Sequence, residues 1–168
     1  GQKKYLQAMQ AFKNALKYSP EDPILHYQLG VVYKELSIFD LAISEFNFYL
    51  NYKKDDLIVK QMLGECYYEN EQFEDAINIF KENIENSNYQ DIKSLFLTAL
   101  SYLSIGSDNN AARYFKLVIK INPDHAKSRF HLINLYLTLN KSREAKKECD
   151  ILYMLDRPLY YSSRFCNN

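Results

Sequence analysis

The sequence predicts an all-α protein built from repeated pairs of antiparallel helices. The main observation is a set of alanines, each within an apolar pattern of helical period, that recur at intervals of 34, 35 and 34 residues: Ala42, Ala76, Ala111 and Ala145. A set of tyrosines keeps the same intervals: Tyr33, Tyr67, Tyr102 and Tyr136. With only 4 Gly and 4 Pro in 168 residues, the composition disfavours a turn-rich β protein and a disordered chain. A period in this range is typical of a helical repeat array, in which each unit contacts its neighbours.

The first predicted element is a helix over about residues 3–18, where apolar side chains recur at helical spacing. Ala8 and Phe12 stand four residues apart, and Pro20 follows them. Pro20 lies 103 residues before Pro123, which equals three periods with one extra residue. We therefore expect residues 1–22 to be the second helix of a leading partial repeat.

A more detailed pattern recurs after this helix. It reads Leu29-Gly30-x-x-Tyr33 with Ala42 and Phe46, then Leu63-Gly64-x-x-Tyr67 with Ala76 and Phe80, then Ala99-x-x-Tyr102 with Ala111, Phe115 and Pro123. The pattern resembles the tetratricopeptide repeat (TPR) family, whose 34-residue unit is a helix–turn–helix pair. The resemblance implies a right-handed α-solenoid of about nine helices and a short C-terminal cap, in one array over residues 1–168.

The register divides the rest of the chain into four repeats and a tail. The repeats cover residues 23–56, 57–91, 92–125 and 126–159, and residues 160–168 are a predicted capping tail. The predicted helices lie near 23–36, 40–53, 57–70, 73–86, 91–104, 108–121, 125–139 and 142–156. The extra residue of the longer interval is placed in the loop at 87–90, because loops tolerate insertion at low cost.

Local signals predict where these helices begin and end. Pro23 suits a first helical turn, where its missing N–H has no partner to lose. Asp108 is a predicted N-cap, and a capping role also explains Asp124 at the next helix start. Gly106 and Asn140 stand where a first helix ends, and both residue types tolerate the left-handed backbone required there.

Small residues are predicted where the two helices of a repeat cross. Glycine inside a helix costs about 1 kcal/mol relative to alanine, so Gly30 and Gly64 need a packing reason. We expect them to face Ala42 and Ala76 on the second helices. Ile133 has the same place in the last repeat and predicts a looser crossing there. The 15 Tyr and 10 Phe are expected to be mostly core residues.

The three cysteines show no C-x-x-C spacing. Cys66 and Cys149 lie in apolar helical patterns and are interpreted as small buried hydrophobic residues, and Cys166 is expected to be exposed. This usage mildly favours a reducing compartment, so the cytoplasm is slightly preferred. Gly1 is consistent with a cleavage scar, in which case an upstream signal or anchor has been removed and the compartment stays open.

Charge is balanced overall but unevenly distributed. Lys and Arg total 21, as do Asp and Glu, which disfavours nucleic acid or an anionic membrane as a partner. Residues 1–20 hold four Lys and no acid, residues 21–91 hold 15 acids and 5 bases, and residues 92–168 hold 6 acids and 12 bases. This asymmetry indicates either clustered solvated faces or contact between copies, so a homo-oligomer is one hypothesis, through these charges or through the unpaired N-terminal helix.

No recognisable catalytic, metal or cofactor site is present in the sequence. His26, His125 and His131 are not spaced three or four residues apart on a helix, as a metal pair would require. No Gly-rich phosphate loop, nucleophile elbow or Cys-His pair is found. We therefore expect a protein without enzymatic activity, metal or cofactor.

The family resemblance implies that the first helix of each repeat lines a concave ligand groove. The predicted groove residues are Tyr27, Val31, Glu65, Tyr68, Lys93, Phe96, Leu97, Leu100, Lys127, Phe130, His131 and Asn134. One TPR subclass grips a C-terminal carboxylate through Lys, Asn and Arg side chains. Only the lysine positions of that pattern are matched here, which disfavours this ligand.

The predicted function is a non-catalytic scaffold that binds a peptide or an amphipathic helix in this groove. Exposed aromatic surface usually marks an interaction site, although the aromatics could instead be covered by the array itself or by a neighbouring domain. Two other hypotheses remain: a self-assembly module, and an accessory interaction arm of a larger multidomain protein. The expected partner is a protein or peptide, with no nucleic acid and no direct membrane insertion.

Overall fold

The computed structural model describes residues 2–163 and 165–166, and within them it contains ten α-helices and no β-strand. The helices are α1 (Gln2–Leu16), α2 (Pro23–Glu35), α3 (Phe39–Tyr52), α4 (Leu57–Glu69), α5 (Phe73–Asn86), α6 (Ile92–Ser104), α7 (Asp108–Ile121), α8 (Ala126–Thr138), α9 (Ser142–Leu155) and α10 (Arg157–Ser162). The predicted all-α class is confirmed, as are nine helices followed by a short terminal one.

The chain forms two compact units, one up to Asn86 and one from Ser87. In unit 1, each of the helices α1 to α4 packs against the next one along the chain. In unit 2, α6 to α9 do the same, and the short α10 packs against α9 and α8. The division into repeats at the predicted boundaries stays a prediction.

The core of unit 1 lies where α2, α3 and α4 meet. Its buried members are Leu29, Tyr33, Ala42, Phe46, Tyr49, Val59, Leu63 and Cys66. Helix α1 adds the half-buried side chains of Met9, Phe12 and Leu16 to this core, but none of its own residues is fully buried. The helix is therefore held by one face only.

Gly30 and Gly64 on the first helices lie against aromatic rings of the second helices. The prediction that they face Ala42 and Ala76 was wrong. A methyl group added to Gly64 would lie 2.6 Å from Cε1 of Phe80, and one added to Gly30 would lie 2.8 Å from the ring of Phe46. Both phenylalanines are fully buried. Glycine is therefore required because the ring of the second helix occupies the space that a Cβ would need.

In the last repeat the large residue at the helix crossing lies on the first helix and the small residue lies on the second helix. Ile133, at the register position of the glycines, is fully buried. Cys149, at the register position of the phenylalanines, is also buried. A large residue on the first helix thus accompanies a small one on the second, an exchange that conserves volume. Ile133 is well accommodated and is not the misfit expected from the sequence.

The first helix of each repeat starts at a residue whose side chain caps it, and these capping residues share one register position. Asp22, Asp56 and Asp91 each accept backbone N–H hydrogen bonds in the first turns of α2, α4 and α6. At the fourth position the cap is His125 rather than the predicted Asp124: its Nδ1 accepts a hydrogen bond of 3.2 Å from Ser128 N. Such caps satisfy N–H groups that have no partner within the helix.

The predicted cap at Asp108 was also displaced by one residue. The N-cap of α7 is Ser107, which makes no side-chain capping bond, and Asp108 is the first helical residue. A carboxylate in the first turn is still stabilised by the positive end of the helix dipole.

The first helices α2, α4, α6 and α8 all end in the same way. A residue with positive φ follows each helix by two positions: Ser37 (58°), Glu71 (59°), Gly106 (71°) and Asn140 (57°). The next N–H then bonds back to a tyrosine carbonyl, as in Ile38 N to Tyr33 O at 2.9 Å. This closing bond is that of the Schellman motif. The predicted turns at Gly106 and Asn140 are confirmed.

Contacts between a basic and an acidic side chain join the first and second helices of three repeats. They are His26 with Glu45, Lys60 with Glu82 and Arg129 with Glu148, and the three basic residues share one register position. His26 and Arg129 also contact the carbonyl oxygens of Pro20 and Pro123 in the preceding loops. The sequence analysis missed these pairs, although the shared interval could have shown them.

The C-terminal segment is fastened by a disulfide that the sequence analysis did not expect. Cys149 on α9 is bonded to Cys166, with a Cα–Cα distance of 5.5 Å. Cys166 is half-buried and not exposed as predicted. Tyr160 of α10 packs against Tyr153 and donates a hydrogen bond to the Cys166 carbonyl at 2.6 Å. Disulfides persist mainly in oxidising compartments, which removes the cysteine argument for a reducing one.

Cys66 keeps the role predicted for it. It is the free cysteine of the described residues and is fully buried. Burial raises the pKa of its thiol to about 12, so that the thiol is protonated at neutral pH and unreactive.

Replacing Gly64 with alanine is expected to destabilise unit 1 by about 1 kcal/mol, since the overpacking against Phe80 outweighs the better helix propensity. Urea unfolding monitored by circular dichroism measures this. In a Phe80→Leu background the same change should be neutral or stabilising. An equal loss in both backgrounds would show that the ring is not the cause.

Replacing His125 with aspartate is expected to stabilise unit 2 by about 1 kcal/mol at pH 7. Ser128 Oγ, which is buried without a partner, would gain one, as Ser94 Oγ does from Asp91. Burial holds the pKa of His125 below its usual value, so the wild type loses stability as pH falls below about 6.5.

The variant should lose less stability than the wild type between pH 7 and pH 5, as measured by urea unfolding at both values. The reverse exchange, Asp91→His, is the matched control and should cost about 1 kcal/mol. Identical pH profiles for wild type and His125→Asp would contradict the capping role.

Reducing the disulfide is expected to release the segment from Arg157 to Cys166, because a six-residue helix is not stable by itself. Closing a loop of this size contributes about 3 kcal/mol. Hydrogen exchange of residues 157–163 should rise with dithiothreitol in the wild type and be high already in Cys166→Ser. Unchanged protection on reduction would mean that side-chain packing alone holds the segment.

Candidate functional site

The twelve predicted groove residues all lie on first helices and fall into two sets, one in each unit. Three of them are exposed, Lys93, Lys127 and Asn134, and the other nine are half-buried. They fall at five register positions, spaced on each helix so that they share one face. Each set therefore forms part of one side of its own unit.

The aromatic groove residue of α2 is partly used by the core. The Tyr27 ring lies 5.4 Å from Tyr49 and 6.5 Å from Phe46. Val31 is also half-buried against the core of unit 1. Only part of the surface of each of these two side chains is therefore accessible to a ligand.

The acidic groove residue of α4 is paired within the chain. Lys34 Nζ lies 2.7 Å from Glu65 Oε2. Burial lowers the pKa of Lys34, but the hydrogen bond and charge of Glu65 more than offset this and raise it overall. Tyr68 packs edge-on against Phe73, and burial raises its pKa. The predicted acidic surface is therefore neutralised at Glu65.

Unit 2 contains a cluster of five rings, which we call the aromatic cluster: Phe96, Phe115, His125, Phe130 and His131. Phe96 of α6 lies 5.0 Å from His125, 5.8 Å from Phe115 and 6.1 Å from His131. His131 stacks on the fully buried Phe115 at 5.1 Å with an interplanar angle of 6°. Phe130 meets His131 edge-on at 5.8 Å. The structure thus brings together three predicted groove residues, Phe96, Phe130 and His131.

Both histidines of the aromatic cluster are held in the neutral form at pH 7. Burial lowers the pKa of His131, and the charges of His125 and Lys127 add to the effect. Burial and Lys127 act in the same direction on His125. The cluster therefore offers an apolar, uncharged surface, with exposed lysines in the first turns of α6 and α8 beside it.

A small pocket adjoins the cluster between α6, α7 and α8. It has a volume of about 120 Å³ and is lined by Leu103, Asp108, His131, Asn134, Leu135 and Thr138. Thr138 Oγ1 donates a hydrogen bond of 3.3 Å to Asp108 Oδ2. Of these six residues the sequence analysis selected His131 and Asn134 for the groove, and it missed Asp108 and Thr138 as site residues. The signal available was the register, since Phe39 and Phe73 stand where Asp108 does.

Residues 2–163 and 165–166 contain neither a cluster of metal ligands nor a helix suited to span a membrane. No three His, Cys, Asp or Glu side chains are grouped as a metal ion would need. No helix has both the length and the apolar character needed to cross a membrane.

Comparison with known proteins places the chain in a family. A TPR repeat model matches residues 2–37, and a tetratricopeptide repeat model matches residues 92–125. No curated protein matches the chain significantly in sequence.

Solved structures with the same fold include MamA and YrrB. MamA is 19% identical, with a TM-score of 0.83 over 92% of this chain and 90% of that chain. MamA of Desulfovibrio magneticus RS-1 is 16% identical, with a TM-score of 0.81 over 92% and 86%. YrrB, described as a TPR protein with an unusual peptide-binding site, is 20% identical, with a TM-score of 0.81 over 95% and 83%.

At these identities the structures show the fold, which generally serves protein–protein interaction. The two family matches, the 34-residue register and this fold together identify the chain as a tetratricopeptide repeat protein.

Proposed function

We propose that the chain is a non-catalytic scaffold and that unit 2 binds an apolar or amphipathic segment of a partner protein over the aromatic cluster. The observation that carries this proposal is the half-buried state of Phe96, Phe130 and His131. Their rings support one another, yet a part of each stays accessible. Rigid aromatic side chains of this kind are the usual anchors of protein interfaces.

The residues beside the rings extend this surface along two helices. Leu97 and Leu100 follow Phe96 on α6, and all three are half-buried. On α8, Lys127 and Asn134 flank Phe130 and are exposed. An apolar strip edged by polar groups favours a ligand that presents one apolar face, as an amphipathic helix does.

We propose a smaller contact surface on unit 1, formed by Tyr27, Val31, Glu65 and Tyr68. The side chains of Tyr27 and Val31 pack partly against the core of unit 1, and Glu65 is paired with Lys34. This surface is therefore expected to add less binding energy than the aromatic cluster. The absence of catalysis is part of the same proposal, since the described polar clusters are explained by caps and ion pairs.

A second candidate function is self-assembly, which the charge distribution favours. Residues 1–86 hold 14 acids and 9 bases, a net charge of −5, and residues 87–168 hold 7 acids and 12 bases, a net charge of +5. Opposite charges on two units of one chain allow copies to attract one another. Light scattering at increasing salt tests this, because a charge-driven oligomer dissociates as the charges are screened. An accessory arm of a larger protein would use either surface.

Replacing both Phe96 and Phe130 with alanine is expected to weaken binding of a groove peptide at least about 30-fold, since each aromatic anchor contributes more than about 1 kcal/mol. Peptides selected from a displayed random library on the wild type, then measured by calorimetry, provide the readout. Selected peptides should show apolar residues three and four positions apart.

The control is Tyr18→Ala, which removes an aromatic side chain that is 88% exposed and lies on unit 1. It should leave affinity unchanged, and circular dichroism should show that all variants are folded. Undiminished binding by the folded double variant would reject the aromatic cluster as the site.

A further inference from the structure

We propose that the pocket lined by Leu103, Asp108, His131, Asn134, Leu135 and Thr138 binds a primary ammonium group, such as that of a lysine side chain in the partner segment. The expectation that a partner supplies the ammonium rests on the proposed function. The pocket and its chemistry do not depend on it.

The lining groups suit an ammonium ion in number and kind. Asp108 supplies a carboxylate, Asn134 an amide carbonyl and Thr138 a hydroxyl oxygen, and all three can accept hydrogen bonds. An ammonium group has three N–H donors and no acceptor. Leu103 and Leu135 form apolar walls against which a methylene chain can pack. At about 120 Å³ the pocket has room for several water molecules, and so for the end of an aliphatic amine.

The carboxylate of Asp108 has no cationic partner among the residues that the structure describes. Within residues 2–163 and 165–166 Asp108 takes part in no salt bridge, and it accepts one hydrogen bond, from Thr138. It lies in the first turn of α7 and lines the pocket. A half-buried carboxylate of this kind gains more from a cation than an exposed one does.

The equivalent place in unit 1 already holds an ammonium group. By the helix register, Lys34 corresponds to Leu103 and Glu65 corresponds to Asn134. The Lys34 ammonium lies 2.7 Å from the Glu65 carboxylate. One repeat pair of this chain therefore fills the position with its own lysine.

At the equivalent place in unit 2, two residues differ from their counterparts in unit 1. Leucine replaces Lys34, so the internal ammonium is lost, and Asp108 replaces Phe39. In unit 1 the Phe39 side chain packs on the core. In unit 2 the smaller carboxylate leaves a pocket and supplies a negative charge to it. In unit 1 the site is occupied by the ammonium group of the chain's own Lys34. With both differences, the site in unit 2 can accept a cation from outside the chain.

The direct test is an NMR titration of the full chain with n-butylammonium chloride, an analogue of the lysine side chain. We expect saturable shifts of the amide signals of Asp108, Asn134 and Thr138. The neutral analogue n-butanol should bind at least about tenfold more weakly, because charge-assisted hydrogen bonds contribute 1.5 kcal/mol or more. Equal affinity for both compounds would overturn the proposal.

Two variants separate the pocket from general effects. Asp108→Asn keeps the shape, removes the charge and should weaken n-butylammonium binding at least about tenfold. Leu103→Lys copies unit 1, and its own ammonium should block the probe. Circular dichroism establishes that each variant is folded, and wild-type binding by either folded variant would overturn the proposal.

A peptide measurement distinguishes this inference from the proposed function. Library peptides selected on the wild type should carry a lysine at one fixed position, and replacing it with norleucine should cost about tenfold on the wild type but little on Asp108→Asn. Amine binding without any peptide binding would support the pocket and reject the proposed function. Peptide binding with no lysine preference and no amine binding would reject the pocket alone.

Discussion

The buried phenylalanine of the second helices α3, α5 and α7 is the constraint on which the repeats depend. Phe46, Phe80 and Phe115 are fully buried, and in the first two repeats the ring occupies the space beside a glycine of the first helix. This contact fixes how closely the two helices approach, because a buried ring cannot move aside without opening a cavity. In the last repeat the smaller Cys149 has the register position of the phenylalanines and the larger Ile133 that of the glycines, and both are buried.

Fixed helix ends keep this contact in register. Each first helix begins at a side-chain cap and ends at a left-handed residue whose neighbour bonds to a tyrosine carbonyl. These bonds satisfy groups that the helix itself leaves unpaired. Since both ends are set locally, each first helix is thirteen residues long in every repeat. The glycine and the ring therefore face each other in both of the repeats that contain them.

Function is expected where the chain departs from this common frame. The positions that pack are nearly the same in each repeat, whereas the groove positions differ: Lys34 becomes Leu103, and Phe39 becomes Asp108. His125 is a further departure, since it replaces a capping aspartate and lies in contact with Phe96. Rules of local structure are commonly broken at functional sites.

The fold class, the register and the helix ends to within one or two residues could be predicted from the sequence, because these follow from the period of apolar residues and from hydrogen bonds between near neighbours. The sequence also predicts Phe96, Phe130 and His131 as residues of one groove, and their rings lie close together in the structure. The tertiary structure decided which side chains meet across helices: Gly64 with Phe80, Cys149 with Cys166, and Asp108 with Thr138. Such contacts depend on the relative placement of two elements and on side-chain rotamers, which no spacing along the chain specifies.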